Sequence, residues 1–152
     1  MDQLIYIPWF LEQYQQWWES ERPLSLIAIE FLVLLMRICS YASQFLPSPS
    51  YTIEKIRGVS LTDIRTTCDS IANSLAIICT HFDPIGSLIR VQHMSVAALK
   101  ARCEGRSKVT WDTLSCAIQV AQKVGIERNS CMDEAEIETR RRVFCNLYIW
   151  DR

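Results

Sequence analysis

Glycine and proline are scarce in this chain, with four of one and five of the other in 152 residues. So few glycines leave little scope for a loop that cradles phosphate. No GxSxG, HExxH, glycine-rich phosphate loop or paired-carboxylate motif is found, and an enzyme is the least supported reading. A basic excess is also lacking. The net charge is −1 and no basic stripe is visible, so the electrostatic footprint of a domain that holds a phosphate backbone is absent. No direct contact with nucleic acid is therefore expected. Long apolar runs are missing as well. The most apolar stretch, Leu24 to Cys39, is interrupted by Glu30 and Arg37, and falls short of the roughly 20 residues that span a bilayer. It reads as a core helix, with no membrane partner. Met1-Asp2-Gln3 carries no basic n-region, so no signal peptide is expected.

Cysteine is plentiful but wrongly spaced for zinc. Cys39, Cys68, Cys79, Cys103, Cys116, Cys131 and Cys145 are odd in number, and the closest pair, Cys68 and Cys79, is eleven residues apart. No C-x₂-C pair exists to grip a metal ion, so buried, reduced thiols are expected, with no metal and no cofactor in this chain. His81 and His93 are the only histidines. Cys79 and His81, two apart on one helix, diverge by about 200° and make a poor shared site.

What is present is a packed helical protein. Hydrophobic residues make up 49% and charged residues 22%, which fits one folded domain over residues 1–152. Periodicity is helical throughout, with no clean alternation at period two. A first helix is expected from Trp9 to about Glu19, behind Pro8, and a second from about Leu24 to Gln44, apolar around most of its circumference as for a central helix. Prolines at 47 and 49 end it, and Tyr51 to Gly58 reads as a loop. A third helix, capped by Ser60 or Thr62 with Asp63 completing a capping box, carries Leu61, Ile64, Cys68, Ile71, Leu75, Ile78 and Phe82 as a heptad stripe, widened by Ala72 and Cys79. Asp83-Pro84 should start a fourth helix that ends at Gly105, and Thr110 a fifth that ends at Gly125. On the fifth, Trp111, Leu114, Ala117, Ile118, Ala121 and Val124 share a face. A sixth begins near Asp133, with Glu134, Glu136 and Glu138 early, Arg140, Arg141 and Arg142 next, and Ile137, Phe144, Leu147 and Tyr148 as its buried stripe. Asp151 continues that stripe and should be paired with an arginine. The three arginines spread over about 200° of helix surface, so they form no single patch. At least one should pair with Glu136, Glu138 or Asp151.

The C-terminal third has a recognisable order. Trp111-x-x-Leu114-x-x-Ala117-Ile118-x-x-Ala121-x-x-x-Gly125-Ile126-x-Arg128 is followed by an acidic linker. Then comes Glu138-x-Arg140-Arg141-Arg142-x-Phe144-x-x-Leu147-Tyr148-x-x-Asp151-Arg152. Earlier come Leu35-Met36-Arg37-Ile38-Cys39-Ser40-Tyr41-Ala42, Phe45-Leu46-Pro47-Ser48-Pro49, Ile56-x-Gly58 and Leu61-x-Asp63-Ile64-Arg65. Over roughly residues 33 to 152 the chain resembles the regulatory, or middle homology, region of fungal zinc-cluster transcription factors. Glu127 stands where that family often has His, and Cys145 where it often has an aromatic. The family's six-cysteine zinc cluster has no counterpart here, so zinc and DNA binding are not assigned to any residue present.

The resemblance implies an all-α fold, an irregular bundle of about six helices that forms part of a larger helical domain. It implies a role in regulating transcription in the nucleus, through protein partners or contacts with further domains, with self-association through exposed helical faces. The competing expectation is a free-standing helical interaction protein without transcriptional activity. An enzyme would instead need a polar pocket with converging titratable groups around His81, His93 or Asp151.

Overall fold

The architecture was obtained from a computed structural model that describes residues 4–19, 25–46, 55–126 and 134–151. It is all-α, with six helices among the described residues: α1 (Ile7–Glu19), α2 (Leu26–Ala42), α3 (Leu61–Phe82), α4 (Leu88–Cys103), α5 (Ser107–Val124) and α6 (Glu134–Trp150). A minimal hairpin, β1 (Lys55–Ile56) paired antiparallel with β2 (Val59–Ser60), turns at Arg57-Gly58 where only a loop was expected. Pro47, Pro49, Cys131 and Asp133 lie outside the described residues.

Local chemistry sets most boundaries. The Ser25 hydroxyl accepts from the Ala28 amide at 3.1 Å and starts α2. Ser60 accepts from the Asp63 amide at 3.0 Å and donates to its carboxylate at 2.6 Å, closing the expected capping box of α3. Gly125 ends α5 with φ 67°, the left-handed turn that a side chain would resist, and Ile126 N–H then reaches back to Ala121. Two starts differ from expectation. Helix α4 begins at Leu88, because Asp83 spends its side chain on a turn and Ser87 caps instead. Helix α5 begins at Ser107, three residues before Thr110, with no side-chain cap at all.

The central element is α4, not α2. Helix α4 packs against α2, α5 and α6 and is buried on nearly all sides from Leu88 to Ala101, including Arg90, Gln92, His93, Ser95 and Lys100. These polar residues hide its central position from a hydropathy reading. Helix α2 contributes Phe31, Val33 and Leu34 to the core, and α5 contributes Leu114, Ala117 and Ala121. Near the N-terminus Leu4, Ile5 and Trp9 are buried, the Phe10 and Phe31 rings sit 5.6 Å apart, and Trp17 donates to the Ala28 carbonyl at 3.2 Å. The C-terminal end of α2 is held to α3 by Arg65, which donates to the Ser43 carbonyl and hydroxyl.

Two expected stripes are rotated. On α3 the buried residues are Leu61, Cys68, Ala72 and Cys79, whereas Ile71, Ile78 and Phe82 are exposed. On α6 the buried set is Thr139, Val143, Asn146 and Leu147, with Phe144 and Tyr148 exposed and Ile137 half-buried. In each case the true seam lies one residue, about 100°, from the bulky stripe. Small side chains line these seams because they let helices approach closely, so the larger apolar residues are turned outward.

Truncating Leu34 to alanine should therefore cost about 2–5 kcal/mol in urea unfolding, since that side chain has no solvent exposure. Phe82, at 73% exposure, should tolerate the same change within about 0.5 kcal/mol. Equal losses at both positions would contradict the rotated seam.

Candidate functional site

The connection between α3 and α4 builds the most constrained polar cluster. The Asp83 carboxylate accepts from the amides of Ile85 (3.0 Å) and Gly86 (3.2 Å), folding the chain back on itself. Gly86 takes φ +97°, and a Cβ there would lie 2.7 Å from Val120 on α5. Ser87 follows. Its hydroxyl accepts from the Arg90 amide at 3.1 Å and donates to Glu30 of α2. Arg90 itself, 3% exposed, is fully engaged. It meets Glu30 through Nε at 2.7 Å and through a second nitrogen at 2.5 Å, and donates to the carbonyls of Cys79 (2.9 Å) and Asp83. One carboxylate and one guanidinium thus tie α2, α3, α4 and their loop together. Neither residue was singled out from sequence, where Glu30 reads only as a break in an apolar run.

Beside this cluster lies a cleft of about 450 Å³ between α3, α4 and α5, with Arg37 of α2 at its wall. Lys100 pairs with Asp69 and with Glu104 (3.1 Å), and Arg106 pairs with Glu104. Arg37 donates to the neutral Asn73 side chain at 2.7 Å, and burial pulls its pKa down while Asp69 pulls it up. His93 is 3% exposed. Burial, then Arg37 and Arg90 nearby, lower its pKa to about 3, so the ring is neutral. The Arg37 Nε, one Asp69 oxygen and both His93 ring nitrogens are buried with no hydrogen-bond partner among the described residues. His93 therefore sits in polar surroundings. Exposed His81 faces only the edge of Phe82, and exposed Asp151 lies by a different groove.

The thiols divide. Cys68 and Cys79 are buried, as expected for all seven, but Cys39, Cys103, Cys116 and Cys145 are exposed. Burial and then Glu30 raise the Cys79 pKa, which keeps it a thiol. Among the described residues no three of His, Cys, Asp and Glu come together as a metal would require. No described helix is long and apolar enough to cross a membrane.

The arginine-rich segment of α6 pairs as its spacing predicts. Arg140 meets Glu136 at 3.0 Å, and Glu138 takes Arg141 (2.8 Å) and Arg142 (2.6 Å). These bonds hold the Glu138 pKa down to about 2. The Arg142 guanidinium also lies 5.0 Å from the centre of the Tyr6 ring. Asp151, expected to be buried and paired, is exposed because the α6 seam is rotated away from it. The same rotation gives α5 and α6 an apolar outer surface. Trp111 (51% exposed), Phe144, Tyr148 and Ile149 stand on it, beside grooves of about 380 Å³ and 190 Å³.

Comparison with known proteins gives a consistent picture. Residues 3–152 match the family described as the fungal specific transcription factor domain. Transcription factor xilB of Penicillium rubens is 45% identical, over 99% of this chain and 24% of its own length. Probable transcription factor sol4 of Alternaria solani is also 45% identical, over 97% of this chain and 28% of its own. The chain thus spans about a quarter of the length of these relatives. No solved structure matches it.

Breaking the buried pair with Arg90→Met alone should cost about 3–5 kcal/mol in urea unfolding. Adding Glu30→Leu should recover most of that loss, because an orphaned buried charge costs more than an absent pair. Single and double variants of equal stability would remove the pair from its central position. The His93 shift has a definite sign. The unfolded ring takes up a proton below its ordinary pKa of 6.5 and the folded ring does not until about 3. Stability from this group is therefore full above 6.5 and falls with pH, by up to about 1.4 kcal/mol per pH unit below 6. Urea midpoints at pH 7, 6 and 5 should fall more steeply for the native chain than for His93→Asn.

Proposed function

The chain belongs to the fungal specific transcription factor domain family, and on that premise we propose that it is a regulatory domain acting in the nucleus through protein contacts. It works by binding and not by catalysis, with no metal or cofactor of its own and no direct grip on DNA. The match of residues 3–152 to that family carries the reading, and two long relatives named as transcription factors support it over a free-standing interaction protein.

The contact surface is the α5–α6 face. Trp111, Phe144 and Tyr148 belong to the motif that resembles the family, yet they face solvent in this bundle. Large aromatic side chains around shallow apolar grooves are what a protein partner buries. Their partner is protein of matching apolar character, in the same polypeptide or another copy. Regulation then follows from ordinary linkage. A bundle with two packings shifts toward whichever one an effector or partner binds better.

Fusing the chain to an unrelated DNA-binding domain in a fungal host should change reporter transcription relative to that domain alone. Trp111→Ser with Tyr148→Ser should abolish the change while leaving the unfolding midpoint of the purified chain within about 0.5 kcal/mol in stability. An unchanged reporter with the native sequence would sink the reading.

A further inference from the structure

We infer that the cleft between α3, α4 and α5 binds a small monocarboxylate bearing a hydroxyl or amino group beside the acid. Its volume, about 450 Å³, falls within the range of small-molecule sites.

The charges in the cleft decide the ligand. Four cations line it, and three already have carboxylate partners: Arg90 with Glu30, Lys100 with Asp69 and Glu104, and Arg106 with Glu104. Arg37 has only the neutral Asn73 oxygen among the described residues, and its Nε is buried without a partner. A guanidinium in that state is suited to one carboxylate, which it can hold in a two-pronged bond.

Next to it stands His93, whose ring feels the Arg37 charge and is kept neutral. A neutral imidazole offers one donor and one acceptor, and both its nitrogens lack partners. The donor can serve the carboxylate. Across the cleft, the unpartnered Asp69 oxygen accepts from a hydroxyl or ammonium and repels a second negative charge. One uncommitted cation and one carboxylate favour a monoanion with a donor over a phosphate dianion. Ile77, Met94 and Val109 add apolar wall for a short aliphatic tail.

Binding is a property of the cleft. Only its regulatory meaning rests on the proposed function, so a silent reporter and a failure to bind are separate results. The two histidines supply the readout, because ring carbon–proton NMR signals from His93 and exposed His81 report site and control together. Titration of the purified chain with 2-hydroxyvalerate or L-norvaline should move the His93 signal saturably and leave His81 in place. Valerate, which lacks the donor, should bind at least about fivefold more weakly, and Arg37→Gln should weaken 2-hydroxyvalerate at least about tenfold. Circular dichroism shows whether that variant is folded. Ile77→Trp, a change at an exposed position on the cleft rim, should block binding independently. The proposal is overturned if neither probe moves His93 at about 10 mM, ten times a millimolar Kd. It is equally overturned if Arg37→Gln and Ile77→Trp bind as the native chain does, or if inorganic phosphate binds as tightly as 2-hydroxyvalerate.

Discussion

The bundle depends on an arginine that has no access to water. Arg90 lies on a helix buried on nearly every side, and its charge is tolerable only because Glu30, the Cys79 carbonyl and the Asp83 carbonyl surround it. Desolvating two ions is expensive, and a pair of this kind contributes little net stability beyond what an apolar pair would give. Its effect is on arrangement. The carboxylate comes from α2 and the carbonyls from the end of α3 and its loop, so one register of three helices satisfies all the donors. Ser87 joins the two systems, capping α4 while it donates to Glu30.

This constraint explains which features were legible in the sequence. The helix count, the capping box at Ser60 and Asp63 and the glycine stop at Gly125 are local, and a short window of residues determines them. The pairing of Arg140, Arg141 and Arg142 with Glu136 and Glu138 is local too. The central position of α4 is not. Its Arg90, Gln92, His93 and Lys100 look like a solvated face until partners from α2 and α3 are known. The stripes of α3 and α6 were misplaced because bulk was taken as the mark of burial. The seams use Ala72, Cys79, Thr139 and Val143, where close approach matters more than apolar volume. His93 could be noted from sequence, but the cleft it lines joins residues up to 76 positions apart, from Arg37 to Thr113.

The outward turn of the large residues links fold to family. Trp111, Phe144 and Tyr148 supply much of the resemblance, and in an isolated core they would be hard to account for as exposed side chains. As a contact face they are placed sensibly. The relatives devote about three-quarters of their length to other sequence, and a domain within such proteins needs surfaces for its neighbours as well as a core. Polar cleft and apolar face occupy different sides of α5, since Val109 and Thr113 line the first while Trp111 and Ile118 line grooves of the second. One helix therefore borders both.

Gly86 has an evolutionary consequence. Its backbone is left-handed and the space where a side chain would begin is filled by Val120. A larger residue at 86 is excluded twice, once by conformation and once by its neighbour, so trimming Val120 alone would not open the position. Drift at 120 is correspondingly free to make that side chain smaller but not to reshape the turn. In a set of diverged sequences, position 86 should stay glycine while 120 varies in size, a one-sided dependence and not a reciprocal exchange.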